Sequence, residues 1–152
     1  MTGVDLPDKA ATVALAARVA AAARPGDVIA LSGELGVGKT TFARAFIRAR
    51  GGRGEVPSPT FTLVQIYELP DGAVWHFDLY RVRDPAEGWE LGIEDAFRDG
   101  ISLVEWPDRL GALLPAGRLD IALAFAAGDA RRAALSAGGD WPARLADLAV
   151  PR

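Results

Sequence analysis

The sequence predicts an α/β protein, in which buried strands alternate with helices along the chain. Residues 27–32, Asp-Val-Ile-Ala-Leu-Ser, form a short apolar run without polar alternation, which is typical of a strand buried on both faces. A glycine-rich loop follows at residues 33–38, and residues 39–50 then place apolar side chains at helical spacing. Residues 101–105 form a second buried run. These patterns predict buried strands that lead through short loops into helices.

The composition predicts one globular domain over residues 1–152. Half of the 152 residues are hydrophobic and 24% are charged, which is enough apolar surface for a core. No run approaches the roughly 20 apolar residues that a membrane-spanning helix requires. Asp5 and Asp8 stand where a signal peptide carries positive charge. We therefore expect a cytoplasmic protein that does not contact a membrane.

Several classes of site are excluded by residue counts. The chain has no cysteine, which excludes disulfides, thiolate nucleophiles and cysteine-based zinc sites. His76 is the single histidine, so metal motifs that need two histidines are excluded as well. A net charge of -3 argues against a broad basic surface that holds nucleic acid without help, although a local basic patch stays open.

The other elements follow from local patterns. Asp8 is placed to cap a helix over residues 8–23. Residues 62–69 and 73–77 are joined by Pro-Asp-Gly at residues 70–72, a turn short enough for an antiparallel hairpin. Further along the chain we predict a helix over residues 85–97 with a break at Gly92, a short helix over 106–114, a hairpin of 119–125 and 130–136, and a terminal helix over 141–148.

One motif carries chemistry. Residues 33–40, Gly-Glu-Leu-Gly-Val-Gly-Lys-Thr, match the P-loop pattern G-x-x-x-x-G-K-[ST] between a buried strand and an amphipathic helix. Glycines let successive N–H groups face a phosphate, Lys39 supplies positive charge, and the Thr40 hydroxyl is a Mg²⁺ ligand. Thr41 faces either the core or a neighbouring phosphate, and the alternative for the whole loop is a turn without ligand. The predicted nucleotide contacts are Gly33, Glu34, Leu35, Gly36, Val37, Gly38, Lys39, Thr40 and Thr41.

A P-loop also needs a carboxylate at the end of a neighbouring strand. Asp78 and Glu105 each follow four mostly apolar residues, so each is expected at the carboxyl edge of the sheet. We assign Asp78 to Mg²⁺ through water and Glu105 to the attacking water, and the two roles are exchangeable, which makes Lys39, Asp78 and Glu105 the predicted catalytic set. The alternative is that both are solvated strand-end carboxylates.

Two further features bear on the ligand and the site. The chain contains no Asn, which excludes the Asn-Lys-x-Asp element that reads guanine in GTPases and favours ATP. His76 alternates with Asp78 and Tyr80, so the three side chains are expected to start on one face of their strand. Whether His76 orients a carboxylate or is a structural histidine stays open.

Further motifs follow the P-loop along the chain. Together with residues 33–42 they are Ser-Pro-Thr-Phe-Thr-Leu-Val at 58–64, His-Phe-Asp-Leu-Tyr-Arg at 76–81, Leu91-Gly92 with Glu94 and Asp95, and Leu-Val-Glu-Trp-Pro at 103–107. The P-loop alone is shared by many enzymes, but the later motifs are specific. Their order and spacing resemble the TsaE (YjeE) family, the ATPase component of bacterial tRNA threonylcarbamoyladenosine synthesis.

The resemblance implies a P-loop NTPase-like, three-layer α/β/α domain with a mixed parallel and antiparallel sheet. It implies ATP or ADP and Mg²⁺ as ligands, with hydrolysis that is weak in isolation and matters in complex with the TsaD and TsaB proteins. TsaD transfers a threonylcarbamoyl group to tRNA, and the ATPase sustains turnover of that complex. The acidic pI agrees with tRNA being contacted only indirectly, through these partners.

The resemblance also extends the set of site residues. Ser58 and Thr60 fall in a loop that looks like a switch sensing the γ-phosphate, with ordinary turn chemistry as the alternative. Trp106 packs over the nucleotide or holds the end of the catalytic strand, unless it is a core residue. The rival functions are a small-molecule P-loop kinase, which needs a lid bearing arginine, and a non-catalytic nucleotide sensor.

Overall fold

The computed structural model describes residues 2–53, 56 and 62–148. Its helices are α1 (Lys9–Ala22), α2 (Lys39–Ala49), α3 (Glu87–Glu90), α4 (Ile93–Asp99) and α5 (Trp141–Leu148). Its strands are β1 (Thr2–Leu6), β2 (Val28–Ser32), β3 (Val64–Leu69), β4 (Gly72–Asp78), β5 (Ile101–Glu105), β6 (Leu119–Phe125) and β7 (Arg131–Ala137).

The seven strands of the described residues form one mixed sheet in the order β1-β7-β6-β2-β5-β4-β3. The central strands β6, β2, β5 and β4 run parallel. The hairpins β3–β4 and β6–β7 and the edge pair β1–β7 are antiparallel. Because β2, β5 and β4 are parallel, their carboxyl ends meet at one edge of the sheet, and the mixed sheet expected from the resemblance is confirmed.

Helices cover the sheet on both faces. On one face α1, α2 and α5 bury a core that includes Phe42, Phe46 and Trp141. On the other face α4 packs on β2, β4 and β5 around Phe77, Ile93 and Val104. This is the three-layer α/β/α arrangement. No helix of the described part of the chain has the length and apolar character to cross a membrane.

The two helices beside the predicted loop form for local reasons. The Asp8 side chain accepts a 2.9 Å hydrogen bond from the Ala11 N–H, which confirms it as the N-cap of α1. Helix α2 buries Phe42 and Phe46, one turn apart, and leaves Arg48 exposed. The amphipathic pattern of α2 therefore fixes which face of its first turn meets the sheet.

The edge strand β1 is absent from the sequence prediction. It pairs antiparallel with β7, and Leu6 alone in β1 is fully buried, at 1% exposure. Asp5 in β1 forms an ion pair with Arg132 of β7. In a five-residue edge strand with one fully buried side chain, the alternation of apolar and polar residues is too short to be distinguished from an irregular polar segment.

The predicted helix over residues 106–114 is wrong. Two 3₁₀ turns, Pro107–Arg109 and Gly111–Leu113, occupy that stretch, and Trp106 precedes them with a left-handed φ of 61°. Gly111 also has a positive φ of 51°, which ends the first turn before an α-helix develops. The predicted break at Gly92 is confirmed, since Gly92 separates α3 from α4 with a φ of 86°.

Candidate functional site

The predicted phosphate loop connects β2 to α2 and needs glycine at its ends. Gly33 follows β2 with a φ of 137°, and a Cβ there would collide with the Leu123 carbonyl oxygen of β6. Gly38 has a φ of 120° at the start of α2, where a Cβ would have open space but a disfavoured backbone. The loop thus wraps the first turn of α2, whose unpaired N–H groups form an anion-binding end.

Lys39 is folded back over this loop. It is 4% exposed, and its Nζ donates hydrogen bonds to the carbonyl oxygens of Gly33 (2.5 Å) and Glu34 (3.0 Å). Burial lowers the pKa of Lys39, while the charges of Glu105 and Asp78 act in the opposite direction. The ammonium group is held by main-chain oxygens at a distance where a phosphate oxygen could replace them.

The two predicted carboxylates end neighbouring strands. Asp78 of β4 lies in register with Glu105 of β5. The Thr40 hydroxyl lies 3.0 and 3.1 Å from the two carboxylate oxygens of Glu105, to which it donates. The pKa of Asp78 is raised by burial and by Glu105, and a hydrogen bond from the Tyr80 N–H and the neighbouring His76 and Lys39 side chains oppose this. Three oxygen-bearing side chains therefore meet at the start of α2.

His76 lies beneath Glu105. Its side chain is 0% exposed, and its Nε2 is 2.7 Å from Oε2 of Glu105. Its Nδ1 has no hydrogen-bond partner among the described residues. His76 is absent from the cavity lining, so it contacts the site through Glu105.

Trp106 forms a wall of the site. The main-chain N–H of Trp106 donates to the Leu31 carbonyl oxygen at 3.3 Å. The left-handed φ of Trp106 turns the chain sharply at the end of β5. The Lys39 Nζ lies 4.2 Å from the Trp106 ring centroid, and the Tyr80 ring centroid lies 4.9 Å from it. The ring therefore packs beside the cationic group of the loop while it lies half-buried against the core cluster of the sheet's other face.

These groups surround a cavity of about 370 Å³, within the usual size range of ligand pockets. Of the predicted contacts, Val37 is buried in the core at 1% exposure, while Gly33 and Glu34 face Lys39 through their carbonyls. Ser58 and Thr60 lie outside the described residues. The cavity is lined by Leu35, Gly36, Gly38, Lys39, Thr40, Thr41, Asp78, Tyr80, Arg81, Glu105 and Trp106.

The donor set fits a hard cation. Thr40, Asp78 and Glu105 offer oxygen atoms, which Mg²⁺ prefers, beside a loop suited to phosphate. Within the described ranges no three His, Cys, Asp or Glu side chains cluster as a preformed metal site. Mg²⁺ in phosphoryl-transfer sites is commonly bound by one or two carboxylates together with substrate phosphates, which matches this arrangement.

A second cavity, of about 320 Å³, lies on the other side of the loop. Arg131 of β7 donates to the Val37 carbonyl oxygen at 3.1 Å and stacks on the Phe125 ring. Sequence reasoning missed this region, because no motif marks Arg131 and its nearness to the loop arises from the pairing of β6 with β2. The lining residues are Asp8, Lys9, Thr12, Gly36, Val37, Gly38, Thr41, Asp129 and Arg131.

The chain is similar to proteins of one family. The family model described as "Threonylcarbamoyl adenosine biosynthesis protein TsaE" matches residues 6–133. The Bacillus subtilis "tRNA threonylcarbamoyladenosine biosynthesis protein TsaE" is 41% identical over 130 residues, covering 85% of this chain and 81% of that protein. The Rickettsia bellii protein of the same name is 39% identical over 113 residues, covering 74% and 78%. The crystal structure of Bacillus subtilis YdiB superposes with a TM-score of 0.80 at 33% identity, covering 97% of this chain and 93% of that one.

Proposed function

The chain belongs to the TsaE family of tRNA threonylcarbamoyladenosine biosynthesis, and from this we propose that it binds ATP with Mg²⁺ at residues 33–40 and hydrolyses it. The observation that carries the proposal is the meeting of Lys39, Thr40, Asp78 and Glu105 around one cavity. A phosphate loop alone would support binding. Carboxylates from two adjacent strands add what hydrolysis needs.

The loop supplies the phosphate site. Lys39 is already bonded to two carbonyl oxygens, so an entering phosphate exchanges those neutral partners for charged ones. The phosphate charge also offsets the burial that lowers the pKa of Lys39. The first N–H groups of α2 point toward the same anion. These contacts favour binding of a polyphosphate over a single weak anion.

The carboxylates supply the metal side and the water side. When bound, Mg²⁺ would neutralise charge that develops on the phosphate oxygens. Thr40 would hold it, with Asp78 acting through water and Glu105 orienting the attacking water. The Thr40–Glu105 hydrogen bond also supports the exchanged assignment, in which Glu105 stands beside the metal. Both carboxylates therefore stay candidate metal ligands.

The second cavity supports a nucleoside beside the phosphates. It adjoins the main cavity at Gly36, Gly38 and Thr41, which line both. Asp8, Asp129 and Arg131 offer acceptors and donors there for a base and a ribose. The sequence contains no guanine-reading Asn-Lys-x-Asp element, so adenosine is the expected nucleoside.

The family also indicates the complex in which the proposed ATPase activity acts. We propose that hydrolysis is weak for the isolated chain and sustains turnover of the threonylcarbamoyl transferase formed by the TsaD and TsaB proteins. The net charge of -3 supports contact with tRNA only through those partners. The chain is then an accessory ATPase of tRNA modification.

The test measures ATP hydrolysis by the purified protein alone and with the TsaD and TsaB proteins. We expect stimulation by the partners, and we expect Glu105→Gln to lose about 100-fold or more of the rate, as loss of a group that orients water does. Lys39→Ala should lose nucleotide binding itself. Arg98→Ala removes an exposed side chain of α4 that does not line the cavity, so it is the matched control and should behave as wild type.

Three outcomes would contradict the proposal. Absence of both stimulation and complex formation would remove the accessory role. The same variants are also assayed for tRNA modification. If Glu105→Gln supports full modification and Lys39→Ala supports none, the protein is a nucleotide sensor. Transfer of the phosphoryl group to a small molecule in place of water would indicate a kinase.

A further inference from the structure

We propose that His76 is a positioning residue, whose imidazole fixes the carboxylate of Glu105 in the orientation that the metal and the attacking water require. This inference rests on the proposed function, because it assumes that Glu105 acts in hydrolysis. The observation that carries it is a hydrogen bond of 2.7 Å between two side chains that are almost completely withdrawn from solvent.

The burial of the pair gives the contact its strength. The side chains of His76 and Glu105 are 0% and 3% exposed, so the contact between them is shielded from bulk water. A buried carboxylate without donors is strongly unfavourable, and a short hydrogen bond to an ionised group is stronger than a neutral one. His76 is therefore a main determinant of the position that Glu105 adopts.

The direction of the hydrogen bond follows from the surroundings. An ionised carboxylate only accepts hydrogen bonds, so the proton between the two groups lies on Nε2 of His76. The Nδ1 atom has no partner among the described residues, which agrees with a bare nitrogen at that position. The arrangement assigns His76 the tautomer that donates to Glu105.

Two donors from different elements then define the plane of the carboxylate. His76, from β4, binds Oε2, and Thr40, from α2, donates to both oxygens. Thr40 alone would leave the carboxylate free to rotate about its last bond, and the Thr40 oxygen is itself a proposed metal ligand. If Thr40 turned toward a bound metal, His76 would remain as the donor that holds the Glu105 carboxylate in place.

The test compares variants that differ in donor capacity. His76→Leu removes the donor at similar bulk, and His76→Gln restores an N–H in the position of Nε2. Val74→Ala, on the same strand and on the same face of it, is the control for simple loss of packing. Each is measured for kcat, for KM for ATP, for the Mg²⁺ concentration at half-maximal rate, and for ADP affinity in EDTA.

We expect His76→Leu to lower kcat or raise the required Mg²⁺ concentration by about 10–100-fold, as removal of residues that orient metal ligands does. Its ADP affinity in EDTA should stay within about twofold of wild type, because the phosphate loop is untouched. His76→Gln should recover most of the loss, and Val74→Ala should show none. A His76→Leu protein that matches wild type in kcat and Mg²⁺ requirement would overturn the inference, as would a His76→Gln protein as impaired as His76→Leu.

An NMR measurement on His76 itself tests the inference without any substitution at that residue. His76 is the single histidine, so its imidazole nitrogens are observed by NMR without ambiguity. The inference predicts a proton on Nε2, protected from exchange with water, whose resonance moves in Glu105→Gln. A proton on Nδ1, or a resonance that does not respond to Glu105→Gln, would overturn it.

The two proposals fail in different ways. If Glu105→Gln hydrolyses ATP like wild type, the proposed function falls and the role of His76 falls with it. If Glu105→Gln loses hydrolysis while His76→Leu keeps it, the inference on His76 alone is overturned.

Discussion

The polar groups of Lys39 and Thr40 both donate hydrogen bonds to oxygen atoms of the protein. On the proposed function, phosphate and Mg²⁺ would take the place of these protein partners. Lys39 donates to the carbonyls of Gly33 and Glu34, and Thr40 donates to Glu105. Neither group is left unsatisfied in a site withdrawn from water, which would be costly. On the proposed function, phosphate binding would be an exchange of partners, favoured because phosphate is a stronger partner for Lys39 than a neutral carbonyl is.

The ionised carboxylate of Asp78 is proposed to serve the metal side of the site, but its charge lowers the stability of the fold. Burial and Glu105 raise the pKa of Asp78 in the folded protein. At a pH between the usual and the raised pKa, the folded protein therefore binds more protons than the unfolded protein does. Stability then falls as pH rises through that window, and an ionised Asp78 destabilises the fold at neutral pH. The destabilisation is absent at a pH below the usual value.

We predict that Asp78→Asn raises the thermal midpoint at pH 7, because it removes the charge and keeps an oxygen that accepts from the Tyr80 N–H. The gain should shrink as pH is lowered to about 3, below the usual aspartate pKa. Thermal melts without nucleotide or Mg²⁺ at both pH values test this. A lower midpoint at pH 7, or a gain that does not depend on pH, is the contrary result.

At the scale of elements, the Arg144 side chain connects α5 to the chain before β2. Arg144 binds both oxygens of Asp27, at 2.6 and 3.1 Å, and donates to the Ala22 carbonyl at 3.0 Å. The side chains of Arg144 and Asp27 are 10% and 12% exposed. The Asp27 side chain would lose both of these bonds if Arg144 were replaced.

We predict that Arg144→Met lowers the free energy of unfolding by about 3 kcal/mol, because it leaves a largely buried carboxylate without its cation. Arg98→Met is the matched control, since Arg98 pairs with Asp95 and Asp99 on an exposed face, where ion pairs contribute little to stability, so its loss should be much the smaller of the two. Urea titrations of both variants give the comparison. Equal losses would show that the bond to Asp27 adds nothing.

The edge strand β1 offers a second prediction at this scale. Leu6 is 1% exposed between the sheet and the helices, so Leu6→Ala should lower the free energy of unfolding by about 3 kcal/mol. Ile66→Ala, on the opposite edge strand, removes a side chain that is 47% exposed and should cost no more than about 1 kcal/mol. Chemical denaturation distinguishes them, and a negligible cost for Leu6→Ala would mean that β1 does not contribute to the core.

These elements also show what local sequence predicts. The unit of β2, the loop and α2 is predictable because one motif and its flanks lie within about two dozen consecutive residues. The stretch after β5 is not, because Pro107 and the positive φ of Gly111 convert an apolar helical pattern into two 3₁₀ turns. The ends of two apolar runs predict Asp78 and Glu105, whereas the contact of Arg131 with the loop depends on strand order, which no local pattern encodes.

At the scale of the whole molecule, the strand order places the site. β2 lies between β5 and β6, so the sheet continues to either side of the loop that follows β2. The first cavity lies toward β5 and β4, where Glu105 and Asp78 end their strands, and the second is lined by residues of α1 and of the region after β6. Crevices at the carboxyl ends of parallel strands are where α/β folds bind ligands, and both cavities meet at the loop.

The most direct test of the site is a crystal structure with Mg²⁺ and a non-hydrolysable ATP analogue. We predict that Lys39 leaves the carbonyls of Gly33 and Glu34 for oxygens of the β and γ phosphates, and that Thr40 contacts the metal with Asp78 and Glu105 around it. A nucleotide bound elsewhere, or one bound with Lys39 still on the two carbonyls and no metal near Thr40, would contradict the account.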